Sequence, residues 1–237
     1  MNDVPVMNRW MSAVVRIALL LLGAVLMGAV LVLPPEPVGL AGQVNRAMPD
    51  SGVLHPLTAV LLNFRGYDTL LEIGVLLVAV VAVWSLDHAA PSRLRLCAPS
   101  HRNPVLQVGL GLLLPVMAVM AGYMVWVGAY RPGGAFQAGA MLGAVAVTLI
   151  ASGMMSAPLA RSGGTRLALA AGFLWFMAVA SALTLWRGRL LWYPETAAGL
   201  VILAIETVLA VSIGAALAAL FAAVSGLPDA SSVREDD

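Results

Sequence analysis

The sequence predicts an all-α protein, a polytopic membrane helix bundle with about six transmembrane helices. Three observations lead there. The 237 residues are 61% hydrophobic and 11% charged, whereas an ordinary soluble domain is roughly 25% charged. Mean hydropathy is +0.93. Six apolar runs each reach the ~20 residues that a helical span needs. Barrel strands would alternate apolar and polar positions over ~10 residues. These runs are apolar on every side, and a helix satisfies its backbone polar groups within one segment.

The first span is expected over about 13–33. It is too long for the apolar part of a cleaved signal, so it reads as a retained span. Pro34-Pro35-Glu36-Pro37 ends it, because proline cannot continue a helix. A polar stretch with Arg46, Asp50 and His55 follows, and then the short apolar segment 57–64, suited to the membrane interface. The second span runs over about 67–86. A loop with Arg93, Arg95, Cys97, His101 and Arg102 separates it from the third, 105–129, where Pro115 predicts a kink. The fourth span covers 134–155, the fifth 167–186 and the sixth 196–225; the tail 229–237 is polar. The chain divides near the arginine loop at 87–104, with a two-span part over 1–100 and a four-span part over 101–237.

All basic residues are arginines. With a cytoplasmic N-terminus, Arg9, Arg16, Arg93, Arg95, Arg102, Arg161, Arg166 and Arg234 lie inside, and Arg46, Arg65, Arg131, Arg187 and Arg189 outside. That excess predicts a multi-pass protein of the cell membrane with both termini in the cytoplasm. Trp84, Trp126, Trp186, Trp192 and Tyr193 fall near span ends and suggest aromatic belts. Arg16 fits a snorkelling side chain, and Arg187 and Arg189 fit helix-end anchors.

A net charge of +1 gives no field for nucleic acid. The single cysteine and the scattered His55, His88 and His101 offer no metal-ligand spacing. No nucleophile triad, phosphate loop or haem signature is present, so no catalytic residue, metal or cofactor is expected.

Ionisable groups inside spans are costly and mark functional positions. Glu206 is the deepest, about ten residues into the last span, or roughly 14 Å along it. It fits a proton or cation relay site, or equally a neutral acid bonded to a neighbouring helix. Asp68 and Glu72 are four residues apart and share one helix face. Asp68 also suits a helix start, where the dipole favours an anion and Arg65 is within pairing distance in sequence. Glu72 lies deeper, and a conduction role is the alternative to packing for both. Arg131-Pro132-Gly133-Gly134-Ala135-Phe136-Gln137-Ala138-Gly139 opens the fourth span. Pro132, Gly133 and Gly134 suit a tight turn, Gly139 and Gly143 a close helix contact, and Gln137 a hydrated path.

Two stretches resemble a known family. Leu57 to Ile73, with Asn63-Phe64-Arg65-Gly66-Tyr67-Asp68-Thr69-Leu70-Leu71-Glu72 at its centre, is similar to a segment near the C-terminus of the large MrpA subunit of multisubunit cation/proton antiporters. The same segment occurs in MbhE-type subunits of related hydrogenase membrane arms. Asn63 stands where that segment usually has Asp, and Leu71 where it has Gly. Tyr130 to Gly139, together with Ile205-Glu206-Thr207-Val208-Leu209-Ala210-Val211, resembles the MnhB/MrpB subunit family, whose last-span acid Glu206 matches. The resemblance implies an MbhE-like module over 1–100 fused to an MnhB-like module over 101–237. It further implies an accessory subunit of an Mrp-type Na+/H+ antiporter. Such a subunit works in lipid beside large complex I-like proton-pumping subunits and small Mrp subunits, with Na+ and H+ as the ions moved. Two alternatives stay open: a non-redox membrane-arm subunit of a complex such as a membrane-bound hydrogenase, and a purely structural scaffold.

Overall fold

The structure is a computed structural model, and it describes residues 9–33, 39–87, 104–155, 162–188, 190–194 and 197–225. The arginine loop with His88, Cys97 and His101, the Pro-rich loop with Glu36, Arg161, Arg189 and the C-terminal tail lie outside the described residues. By packing, the chain forms two units, 1–42 and 43–237.

In the first unit, α1 (Arg9–Leu31) is one continuous helix. It contains no proline and is apolar over Ala13–Leu31, long enough to cross a membrane. The short α2 (Ala41–Ala47) spans the division and leads into a single turn, Met48–Asp50, with proline near its start.

The second unit is built around α8 (Ala198–Ser225). Half of its apolar stretch is buried, and α4 (Gly66–Asp87), α6 (Ala135–Ala151) and α7 (Gly163–Arg187) pack on it. α5 (Pro104–Val127) packs mainly on α6. Before α4 comes α3 (Pro56–Ala59), which runs straight into one wide turn, Val60–Phe64, with π-helical hydrogen bonding. Proline opens α3 and α5, where a missing N–H costs nothing. Ser162 caps α7 by accepting from the Thr165 N–H at 3.3 Å. Gly188, at φ +69°, ends it with its N–H on the Thr184 carbonyl, a left-handed stop that glycine adopts freely.

Among the described residues no strand occurs, and five helices are long and apolar enough to cross a membrane. The expected fourth span is the shorter α6, which has 17 residues and is ~25 Å long. It stops short of residue 155 because Ser152 and Gly153 turn the chain, with Gly153 at φ +71°. Segment 57–64 packs one side into the core of this unit. Ala59 and Leu62 are in the core, in a cluster with Ile202, Ile205 and Leu209 of α8, although Leu57, Leu61 and Phe64 keep an exposed edge.

The tightest packing is α6 on α8. A Cβ on Gly139 would come 2.6 Å from Ile213 Cβ, and one on Gly143 would come 2.7 Å from Leu217 Cδ1. Only bare glycine backbone lets the two axes approach so closely.

Candidate functional site

The turn between α5 and α6 forms one wall of the site. The Tyr130 and Arg131 N–H groups both bond to the Val127 carbonyl, and the Gly134 N–H reaches Met124 O at 2.9 Å. Pro132 and Gly133 carry the chain around this bend. Gly134 has φ +113° and ψ −170°, a region that essentially only glycine occupies. From there the chain enters α6, whose Ala138 N–H bonds back to Gly134 O.

Glu206 of α8 is aimed at this turn. Its residue is 6% exposed, and its Oε2 is buried with no hydrogen-bond partner. A Cβ on Gly134 would lie 2.7 Å from Glu206 Oε1, and a Cβ on Gly128 would lie 3.0 Å from Oε2. The missing side chains of these two glycines therefore make the room the carboxyl occupies.

The opposite wall is the wide turn at Val60–Phe64 and the start of α4. A wide turn displaces carbonyls from the regular ladder, and such bulges recur at functional sites. Here side chains answer them. Thr69 Oγ1 donates to Leu61 O at 2.7 Å, and Tyr193 Oη donates to Leu62 O at 2.9 Å. Thr58 Oγ1 donates to Gly128 O at 2.5 Å and ties this wall to the α5–α6 turn. Asn63 Nδ2 donates to Ser51 O at 3.1 Å.

Tyr193 is 2% exposed. Burial, reinforced by the nearby Glu206 carboxylate, pushes its phenol well above the ordinary tyrosine range, so it remains a donor at neutral pH. Tyr193→Phe should destabilise the protein by about 1–3 kcal/mol, because the Leu62 carbonyl is left buried without its donor. Thermal unfolding in detergent would measure this, and an unchanged midpoint would refute the assignment.

Between the walls lies a cavity of about 30 Å³, lined by Glu206, Gln137, Thr69, Gly134, Phe136 and Leu62 among others. That is room for about one water. Gln137 is exposed on its outer side yet reaches the cavity, since the Cβ position at Gly134 is also 3.8 Å from Gln137 Oε1. The arrangement places a deep carboxyl, a water-sized space and an amide at the surface in series. That geometry can bind and pass a proton.

Asp68 and Glu72 do not join this cavity. They line a groove of about 690 Å³ between α4, α6 and α8. Asp68 Oδ2 pairs with Arg65 Nη2 at 2.5 Å and lies in the first turn of α4. Glu72, one turn on, is exposed and makes no ion pair among the described residues. No cluster of three or more metal-ligating side chains occurs among the described residues.

Sequence reasoning missed Thr58, Thr69 and Tyr193. Tyr193 was expected in an aromatic belt because of its position at a span end; instead, the chain folds back and buries it over Leu62. Trp126 and Trp186 are exposed as a belt requires, and Arg187 stacks on Trp186 at 4.6 Å. The spacing Thr-x7-Gly-x2-Thr could have flagged the hydroxyls at 58 and 69 only if the wide turn had been foreseen.

The fold is similar to that of a chain in the membrane-bound sulfane sulfur reductase, an archaeal respiratory membrane complex. The TM-score is 0.64 at 22% identity, covering 88% of this chain and 95% of that one. It is also similar to part of a chain in the Mrp complex from Dietzia sp. DQ12-45-1b. There the TM-score is 0.64 at 23% identity, covering 96% of this chain and 27% of that one, so this chain spans about a quarter of its length. No curated protein sequence matches. Residues 105–227, which carry the α5–α6 turn, Gln137 and Glu206, match the family described as a domain related to the MnhB subunit of Na+/H+ antiporter. This chain, a multi-pass membrane protein, belongs to that family.

Proposed function

We propose that this chain is an accessory membrane subunit of an Mrp-type Na+/H+ antiporter complex, with Glu206 on the ion path. One observation carries the reading: a carboxyl almost fully buried within a span has an unanswered oxygen beside a water-sized cavity. A group so placed that only packed the helices would be expected to have its oxygens bonded. The cavity leads to Gln137 at the surface. Asp68 and Glu72, in the groove between α4, α6 and α8, are further acids available to the same assembly. Na+ and H+ are the ions moved, with the large proton-pumping and small Mrp subunits as partners and lipid around them.

The two-module reading, 1–100 and 101–237, rests on the resemblance of Leu57 to Ile73 to one family segment and on the family match that begins at residue 105. The arginine bias supports a cytoplasmic N-terminus in the cell membrane. In this reading the chain supplies no catalytic residue and no cofactor to the complex.

A second reading has its own support. The likeness to the sulfane sulfur reductase spans 95% of that chain, a match of whole subunit to whole subunit. In that case the chain would be a non-redox subunit of a redox-driven membrane complex. Purifying the native complex and reconstituting it in vesicles separates the two. The antiporter reading expects proton efflux on addition of Na+, with no iron–sulfur subunit in the preparation. Co-purifying iron–sulfur subunits, and ion movement only when an electron donor is supplied, would decide for the second.

A further inference from the structure

We propose that the groove between α4, α6 and α8 seats a transmembrane helix of another subunit, one that carries a lysine, arginine or histidine level with Glu72. The inference rests on the reading that this chain works inside a multisubunit assembly.

The groove measures about 690 Å³, and its walls are apolar, with Leu71 and Val75 of α4, Phe136 and Ala140 of α6 and Leu217 of α8. One wall carries two carboxylates. The first, on Asp68, is answered by Arg65 at 2.5 Å. The second, on Glu72, lies within the apolar stretch Gly66–Ser85 and is exposed, with no ion pair among the described residues. Three of the described arginines of this unit have partners other than Glu72: Arg65 pairs with Asp68, Arg166 lies over the face of Trp84 at 5.7 Å, and Arg187 lies over Trp186.

Charge decides the occupant. An acyl chain would cover the apolar walls but leave a carboxyl facing hydrocarbon, which membranes tolerate poorly. A helix with a base at the right depth covers the same walls and answers the carboxylate within the low dielectric, where a close pair is strongest. Apolar helix faces pack by shape, and the small Ala140 in the groove floor lets a partner helix approach.

The test uses the whole complex in its native membrane, with a photo-crosslinking residue placed at Leu71 or at Val75 on either side of Glu72. The expected product is a link to a different chain, through an apolar peptide with a lysine, arginine or histidine within one turn of the link. Glu72→Lys should lower that link about tenfold, and exchanging the partner's base for glutamate should restore it. Glu72→Gln, which keeps the shape, should weaken the link in the same direction if the reversed charge prevents assembly. Links to lipid, to a peptide of this same chain, or to a helix without a base overturn the proposal, as does a link that Glu72→Gln leaves undiminished. A complex that assembles but links elsewhere defeats the docking alone. A chain that migrates by itself on native gels defeats the assembly reading and the docking together.

Discussion

Glu206→Gln should reduce Na+-driven proton movement by about a hundredfold, the scale on which one positioned proton-transfer group contributes, while the complex still assembles. Glutamine has the same shape and fills the same space against Gly128 and Gly134, so packing changes little. What it loses is the ability to take up and release a proton. A scaffold role makes the opposite forecast, with transport unaffected by the amide and harmed only when the side chain is shortened. Vesicle antiport and native-gel assembly, measured on the same preparation, give the answer. Assembly with normal antiport would remove Glu206 from the path. Glu206→Ala adds a useful control, because it opens space next to the turn without adding a charge.

Gly134→Ala should destabilise the protein by about 2–4 kcal/mol, and two separable causes contribute. The backbone at φ +113°, ψ −170° costs an alanine on the order of 1–3 kcal/mol. The added Cβ would also stand 2.7 Å from Glu206 Oε1, so the carboxyl must move. Combining the variant with Glu206→Ala relieves the second cause and leaves the first. The double-mutant cycle should therefore show a coupling of about 1 kcal/mol or more between positions 134 and 206. Thermal unfolding of the four proteins measures it. Strict additivity would mean that the carboxyl does not rest on this turn.

Much of the architecture was legible because lipid imposes a simple rule on sequence. A span must be apolar for its whole length, so runs such as 104–127 and 198–223 declare themselves. Glu206 was legible for the complementary reason, being an acid in the middle of such a run. The Arg65–Asp68 pair followed from a spacing of three at a helix start. The bonds from Thr58 to Gly128 and from Tyr193 to Leu62 were not legible. Their acceptors are backbone carbonyls 70 and 131 residues away, and a carbonyl looks the same under every residue type. The cavity escaped notice for a related reason, since it depends on two absent Cβ atoms and on a bend that brings them to the same carboxyl. The exposure of Glu72 was equally invisible, because it reflects where α6 and α8 leave α4 uncovered.

The wide turn at Val60–Phe64 makes the number of residues there as important as their identity. Removing one would let the ladder close regularly and swing the upstream residues of α3 by ~100° about the axis of that turn. Thr58 would then face away from Gly128, and the Leu61 and Leu62 carbonyls would return to ordinary backbone partners. Register at this joint, rather than side-chain chemistry, is what holds the wall of the cavity in place, so a deletion here should be less forgiving than any conservative replacement.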